Sequence, residues 1–545
     1  MSNESAMQKL TLDNNDWHYV NGSWRASDDG VLDVEHCDDD TGMQGMHFAF
    51  NTALCQRDTT MQFEVRLPAH SDAGIVFGAH DAGHFYLLHF PNCAQASRAQ
   101  HFWVALSKMD NTGYLRLIAF ELVRRVQSTP PAWLAAELRL RGAGVEVEIG
   151  DYGRFTTTLD TVPEPGHIGL FTWLSGQLRN VQVAAETAPA VWRDGIRQRR
   201  NWQYPLPLDE PVWQQPLDMK RFDNGELLLL LNLPLSLNQG DDAKAAPHLS
   251  RSDDDGNSWS KPEPFAAAGV TSAWGGARMH LTPQGRLLVY LPQPAGKSVY
   301  VSTDRGRTWN GPESTSLHVG PRREEPVQSL SPHGFLNLAD GGILAFQISR
   351  AEDFPADYPI FTWGSMHCNA WAARSDDDGM TWSGAVNLDN HGSDADGNPI
   401  PGNLDLTEAA GIQLASGRVL VFIRPIFSPW MWQTWSDDGG RSWGPCLRGP
   451  FPGYAAPNML RTSSGAILIA HRLPCLTINC SHDEGVTWDA GTVIDGGLWA
   501  MGSMCEIAPD LVLYLYWDND NALTRQQRFR VTPDGLAPVC ISSTH

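Results

Sequence analysis

One phrase occurs five times in this chain, and it limits the possible folds more than any other feature. It reads Ser-x-Asp-x-Gly-x-Ser/Thr-Trp. The copies are Ser252-Asp254-Gly256-Ser258-Trp259, Ser302-Asp304-Gly306-Thr308-Trp309, Ser375-Asp377-Gly379-Thr381-Trp382, Ser436-Asp438-Gly440-Ser442-Trp443 and Ser481-Asp483-Gly485-Thr487-Trp488. Their first serines are 50, 73, 61 and 45 residues apart. Spacings of this size mark propellers, solenoids and other arrays of supersecondary units. Each copy reads as a hairpin turn: glycine supplies a positive φ, and aspartate with the hydroxyl residues bonds nearby amides. Tryptophan anchors the turn between sheets. The aspartates are therefore read as structural and not catalytic.

A second phrase recurs out of phase with the first, a turn followed by aliphatic residues. It appears at Asp223-Asn224-Gly225, Pro283-Gln284-Gly285, Asp340-Gly341-Gly342, Ser416-Gly417 and Ser464-Gly465, with a degenerate sixth copy at Pro509-Asp510. Each predicts an inner strand, a hairpin and a buried second strand. Six copies predict six propeller blades. The last lacks the first phrase, so the segment near 191–204 is expected to supply its missing strand.

The five-fold phrase resembles the Asp-box, or BNR repeat, and the second half of the chain resembles the sialidase-like β-propellers. In that superfamily the boxes lie on the rim, so the resemblance implies a fold and not a reaction. Residues 1 to about 185 carry no such phrase. Short alternating strands broken by Gly, Pro and Asp fill them, which predicts an all-β sandwich of jelly-roll type. The runs Gly74–Phe77, Gly144–Glu148 and Gly166–Phe171 resemble the concanavalin A-like, laminin-G-like sandwich. The expectation is thus an all-β chain, with a sandwich over 1–187 and a six-bladed propeller over 188–545. The sandwich is expected to buttress its neighbour.

Charge narrows the function. The formal net charge is −22, which disfavours nucleic acid and anionic membrane surfaces as partners. The nine cysteines include no CxxC pair, so neither a zinc site nor a disulfide framework is expected. The acidic turns at Asp38–Asp40 and Asp394–Asn398 lack an EF-hand pattern, and no metal or cofactor is expected. The polar N-terminal stretch and free thiols lead to an expected cytoplasmic location.

A propeller binds ligands at one mouth of its channel. Candidates therefore lie shortly before each hairpin turn or just after the second strand. This selects Asp218 and Arg221; Trp274, Arg278 and His280; Glu324, Glu325 and His333; Glu408 and Arg424; Tyr454, Asn458 and Arg472; and Trp499, Met501, Ser503 and Glu506. The sialidase resemblance sharpens three of these. It implies a glutamate on one inner strand, matched by Glu408, an arginine closing the next strand, matched by Arg424, and a further arginine, matched by Arg472. In that family such arginines grip a carboxylate by bidentate, charge-assisted bonds.

The departures are equally informative. Blade one reads Leu217-Asp218-Met219-Lys220-Arg221, without the family's arginine phrase. Trp499-Ala500-Met501 stands where the tyrosine nucleophile is expected. The expected function is an exo-acting glycoside hydrolase on an acidic or deoxy sugar terminus, without that tyrosine. Glu408 is the expected catalytic carboxylate and His333 the proton donor. Arg278, Arg424, Arg472, Trp274, Asn458 and Trp432 are expected to bind substrate, Trp432 by stacking on a sugar face. Two alternatives stay open: a polysaccharide lyase using a histidine base, and a non-catalytic glycan-binding propeller.

Overall fold

The computed structural model describes residues 7–539 apart from 13–14, 37–44, 69, 93–100, 111–112, 126–131, 188–190, 194–201, 208–214, 235–243, 267–271, 274–276, 294–295, 318–327, 352–366, 394–398, 402–405, 426–429, 497–501 and 519–522. Among the described residues the chain is all-β, with one 3-10 turn at Gly150–Tyr152 and no α-helix.

The second half is a β-propeller of antiparallel sheets. The first blade holds Gln215–Arg221, Leu227–Pro234, Lys244–Ser252 and Glu263–Pro264. The second holds Arg278–Leu281, Leu287–Gln293, Gly296–Ser302 and Asn310–Ser314. Gln328–Asn337, Ile343–Ala351, His367–Ser375 and Val386–Asn387 make the third. Leu406–Gln413, Val419–Pro425, Trp430–Ser436 and Leu447–Pro452 make the fourth. The last consists of Gly502–Ala508, Leu511–Asp518 and Leu523–Thr532, completed by Trp202–Gln203 from far upstream. That pairing closes the ring with the strand expected near 191–204.

These five blades are separate sheets, so the expected count of six separate blades is corrected. The remaining quartet, Asn458–Arg461, Ile467–His471, Leu476–Ser481 and Thr492–Asp495, is not an independent sheet. Its outer strand pairs with Leu115–Arg125 and so joins an 18-stranded sheet with the N-terminal strands. An edge strand seeks a partner for its free amides and carbonyls, and here it finds one in the N-terminal region.

The N-terminal region departs from expectation for the same reason. A two-sheet sandwich is not shown. The 21-residue strand Met46–Arg66 instead pairs with Trp17–Val20, Leu134–Arg141, Gly166–Trp173 and Gln177–Thr187, binding them into one network.

The second strands explain why the propeller holds together. Leu227, Leu229 and Leu231 pack with Trp259 of their own blade and with Leu513 and Leu515 of the last. Leu228 and Leu230, on the opposite face, pack with Met279, Leu287 and Val289 of the second. A strand buried on both faces reads as a continuous apolar run, and each leucine contributes about 1.5–3 kcal/mol of burial.

The repeated phrases form closed turns. In the first, Ser252 Oγ donates to Asp254 Oδ1 at 2.8 Å and accepts from Gly256 N at 2.8 Å, while Ser258 N and Oγ both donate to Asp254. The second periodicity also has a backbone cause. Its turn residue takes a positive φ, as at Gly225 (89°), and in the degenerate copy Asp510 takes that role at 56°, a conformation aspartate tolerates.

Candidate active site

The first strands of the five blades and the strand Asn458–Arg461 follow one another around a closed ring. Seven residues before each turn residue, a side chain recurs at one level of that ring: Asp218, Arg278, Gly334, Ala410, Asn458 and Ser503. Three of these pin the next strand. Met279 N donates to Asp218 Oδ2 at 2.8 Å, Met504 N to Asn458 Oδ1 at 3.1 Å, and Met219 N to Ser503 Oγ at 3.0 Å. Arg278 instead reaches forward, its Nε donating to the His333 carbonyl at 3.1 Å.

At the other two positions there is no comparable side chain. A Cβ on Gly334 would come no nearer than 3.7 Å, to the Ala409 carbonyl. Ala410 has only a methyl group. In this sector, bounded by Gln328–Asn337, Leu406–Gln413 and Asn458–Arg461, the recurring position carries no polar side chain among the described residues. Register shifts between Pro332 and Gly334 and between Leu406 and Ala409 mark both of the first two strands. Such bulges re-aim side chains, and here they flank His333 and Glu408.

Six charged or ionisable groups converge on this sector: Glu408, Arg424, Tyr454, Arg472, His333 and Arg278. Arg424 Nη1 donates to Glu408 Oε2 at 2.7 Å, and Arg424 Nη2 donates to the Tyr454 hydroxyl at 2.7 Å. The guanidinium also lies over the Tyr454 ring, 4.5 Å from its centroid. Arg472, buried, is tied in through its backbone N, which donates to the Tyr454 carbonyl at 2.8 Å. Burial alone would raise the Glu408 carboxyl, but Arg424, His333 and Arg472 outweigh it and hold it below the usual range. Burial, together with the nearby Arg424, brings Arg472 down to about 10, still protonated at pH 7. Burial, with Arg278 and Arg424, brings His333 down to about 4 against the opposing pull of Glu408. At pH 7 the sector therefore carries cationic Arg278, Arg424 and Arg472 against one carboxylate. That local excess of positive charge stands out in a chain of net charge −22.

The remaining sequence candidates fall elsewhere. Asn458 spends its amide oxygen on Met504 and is part of the pinning set. The Asp218 carboxyl, pushed up by burial despite Lys220 and Arg278, does the same work. His280 bonds Asn337 at 2.8 Å and stacks on Phe335. Arg221 reaches Asp255 on the rim, and Glu506 accepts from Ser463. Trp432 is not brought to the ring. It lies on the third strand of its blade and packs against the core of the third and fourth blades, its indole nitrogen buried. Third strands face neighbouring packing and not the channel, which corrects the expected stacking role. Trp274, Glu324, Glu325, Trp499 and Met501 lie outside the described residues. Tyr454 is the residue whose role the family pattern missed: it comes from a loop after the fourth strand, where no fixed offset from a turn marks it.

Residues 238–501 match the BNR repeat-like domain. No curated protein matches the chain. Among solved structures, a Dyadobacter fermentans protein of unknown function is 15% identical, covering 62% of this chain and 100% of its own, with a TM-score of 0.45. A Hadza microbial sialidase is 15% identical over 87% of this chain and 94% of its own, with a TM-score of 0.44. The GH93 α-L-arabinofuranosidase of Fusarium graminearum is 13% identical over 60% and 96%, with a TM-score of 0.40.

Proposed function

We propose, from the premise that this chain is a sialidase-like BNR-repeat propeller, that it is an exo-acting glycoside hydrolase for a sugar terminus bearing an acidic group. The observation that carries this reading is the chain Glu408–Arg424–Tyr454 beside Arg472, set where Gly334 and Ala410 stand at the level that polar side chains occupy elsewhere in the ring. An ionised Glu408 is suited to stabilise, or to attack, the positive charge that develops at an anomeric carbon. His333, on the adjacent strand, supplies the proton to the leaving oxygen when it is protonated. Arg472 and Arg278 offer guanidinium donors to a carboxylate. Arg424 is already engaged by Glu408 and Tyr454, so we assign it to holding Glu408 in place. Asp218 and Ser503 stand on the opposite side of the ring, pinned to the next strands.

The test is a screen of the purified protein against anionic and neutral aryl glycosides and natural oligosaccharides. Release of a reducing sugar supports hydrolysis. An unsaturated, ultraviolet-absorbing product would make the protein a lyase. Retention of a glycan without turnover would make it a binding propeller.

A further inference from the structure

At the end of blade four that carries Arg424, a second guanidinium is held by stacking and left without a carboxylate. The strand Val419–Pro425 delivers Arg424, and the strand Trp430–Ser436 starts at that same end of the blade. Trp430 pairs with Pro452 on the outer strand. Two residues further on, the Tyr454 hydroxyl accepts from Arg424 Nη2 at 2.7 Å. Gly453, between them, lies against Met431: a Cβ there would stand 3.3 Å from the Met431 Cβ. The start of this third strand and the turn that carries Tyr454 are therefore packed together.

The N-terminal region fixes them from outside. Tyr454, Leu473 and Cys475 share one buried core with Phe48, Trp103 and Phe120, and Trp430 packs against it. The Trp103 and Trp430 ring centroids are 6.2 Å apart at 56°, and Phe120 backs Trp103 at 4.7 Å. On the indole held in this way lies the Arg448 guanidinium, its central carbon 4.5 Å from the Trp430 centroid.

Arg448 differs from the other arginines of its blade. Arg418 pairs with Asp437, Arg424 with Glu408, and Arg441 with Asp376. Arg448 is exposed, and among the described residues no carboxylate pairs with it. That leaves an exposed cation unspent in a chain of net charge −22. A guanidinium lying over an indole spends its face on the ring and keeps its in-plane N–H groups for an acceptor. Such a fork takes a carboxylate or a sulfate through two parallel bonds.

We propose that Arg448 is a further substrate-binding residue, and that it takes an anionic group on the sugar next to the terminal one. The inference rests on the reading of Glu408 as the carboxylate at the reacting centre. A terminus held there leaves the next sugar outside the ring, on the side where Trp430 and the Tyr454 turn meet. The ligand class is therefore an acidic oligosaccharide with negative charge on two successive sugars, the first for Arg472 and the second for Arg448.

The test is calorimetric titration with D-galacturonate and with tri-D-galacturonate, for the wild type, Arg448→Ala and Arg448→Lys, with melting curves for each. The wild type is expected to bind the trimer about tenfold more tightly than the monomer. Arg448→Ala is expected to lose about tenfold in affinity for the trimer, the worth of one charge-assisted contact, with monomer affinity and Tm unchanged. Arg448→Lys is expected to fall between, because it keeps the charge and loses the planar fork. Added salt is expected to weaken trimer binding more steeply in the wild type than in Arg448→Ala. A trimer bound no more tightly than the monomer, or one whose affinity is unaltered in Arg448→Ala, overturns the role of Arg448 and leaves the proposed function standing. Monomer and trimer weakened alike in Arg448→Ala, with a lowered Tm, would mean a structural role and overturns it too. If neither compound binds the wild type, the acidic-sugar reading fails and this inference fails with it.

Discussion

At the scale of single residues, the site depends on how one carboxylate and one imidazole are held. Burial would raise the Glu408 carboxyl, but Arg424, with His333 and Arg472, holds it below the usual carboxylate range. His333 titrates at about 4, because burial and two arginines disfavour its charged form. A proton donor must be protonated, and its protonated fraction falls about tenfold for each pH unit above its pKa. Activity is therefore expected to be highest in acid and to fall as pH rises from about 4 towards 7. A pH–rate profile flat across that interval would remove His333 from the donor role. That Glu408, Arg424 and Arg472 belong to one group was suggested in the sequence by the family resemblance, and the structure brings the three together. Tyr454 was among the candidates by position, but its hold on Arg424 was not legible, since it follows a fourth strand whose length no turn dictates. Trp432 was misplaced because the sequence does not show that it lies on a third strand, Trp430–Ser436, which packs on the neighbouring core.

At the scale of elements, the ring is held by side chains that accept backbone N–H groups from the next strand. Asp218→Ala removes the acceptor for Met279 N and leaves a buried donor unpaired, at a cost of about 1–3 kcal/mol. Thermal unfolding is expected to show a lowered Tm for Asp218→Ala; an unchanged Tm would mean that water or a neighbour replaces the carboxylate. Gly334→Val tests the opposite kind of position. There is room for the new Cβ, so Tm is expected to hold while ligand binding and turnover are lost, because the branched side chain fills the space left by Gly334. Retained turnover would place the ligand elsewhere in the ring. Both periodicities could be read from the chain, because glycine, aspartate and tryptophan recur at the turns that need them. The level seven residues before each turn was equally present in the sequence, but its meaning is not. Aspartate, asparagine and serine look like site residues until their partners are known.

At the scale of the whole molecule, the N-terminal region and the propeller are joined by hydrogen bonds as well as by packing. Thr492 pairs with Arg116 and Val493 with Leu115. Tyr114 donates to Gln527 Oε1 at 2.8 Å. Gln527 Nε2 in turn donates to the Tyr516 hydroxyl, and Arg525 binds Asp495 and Asp518, all of them buried. A chain begun at residue 188 would expose Leu473, Cys475 and Val493 and leave the edge Thr492–Asp495 unpaired. It is expected to aggregate, and the full chain to unfold in a single calorimetric transition. Two separated transitions, or a soluble truncated propeller, would contradict that coupling. This coupling is what the sequence could not reveal. Periodicity identifies strands, but pairing across hundreds of residues decides which sheet a strand joins. For that reason the quartet Asn458–Asp495 read as a separate fifth blade of six, and the N-terminal strands read as a separate sandwich.

The central claim is that Glu408, held by Arg424, is the carboxylate at the reacting centre. It is tested most directly by the rate of sugar release from the best substrate, measured for wild type and Glu408→Gln together, with melting curves for both. The glutamine keeps the size of the side chain and an oxygen for Arg424, but not the charge. The account predicts a loss of at least about a hundredfold in kcat, the scale expected when a charged catalytic group is removed, with Tm little changed. Equal rates in the two proteins would contradict it.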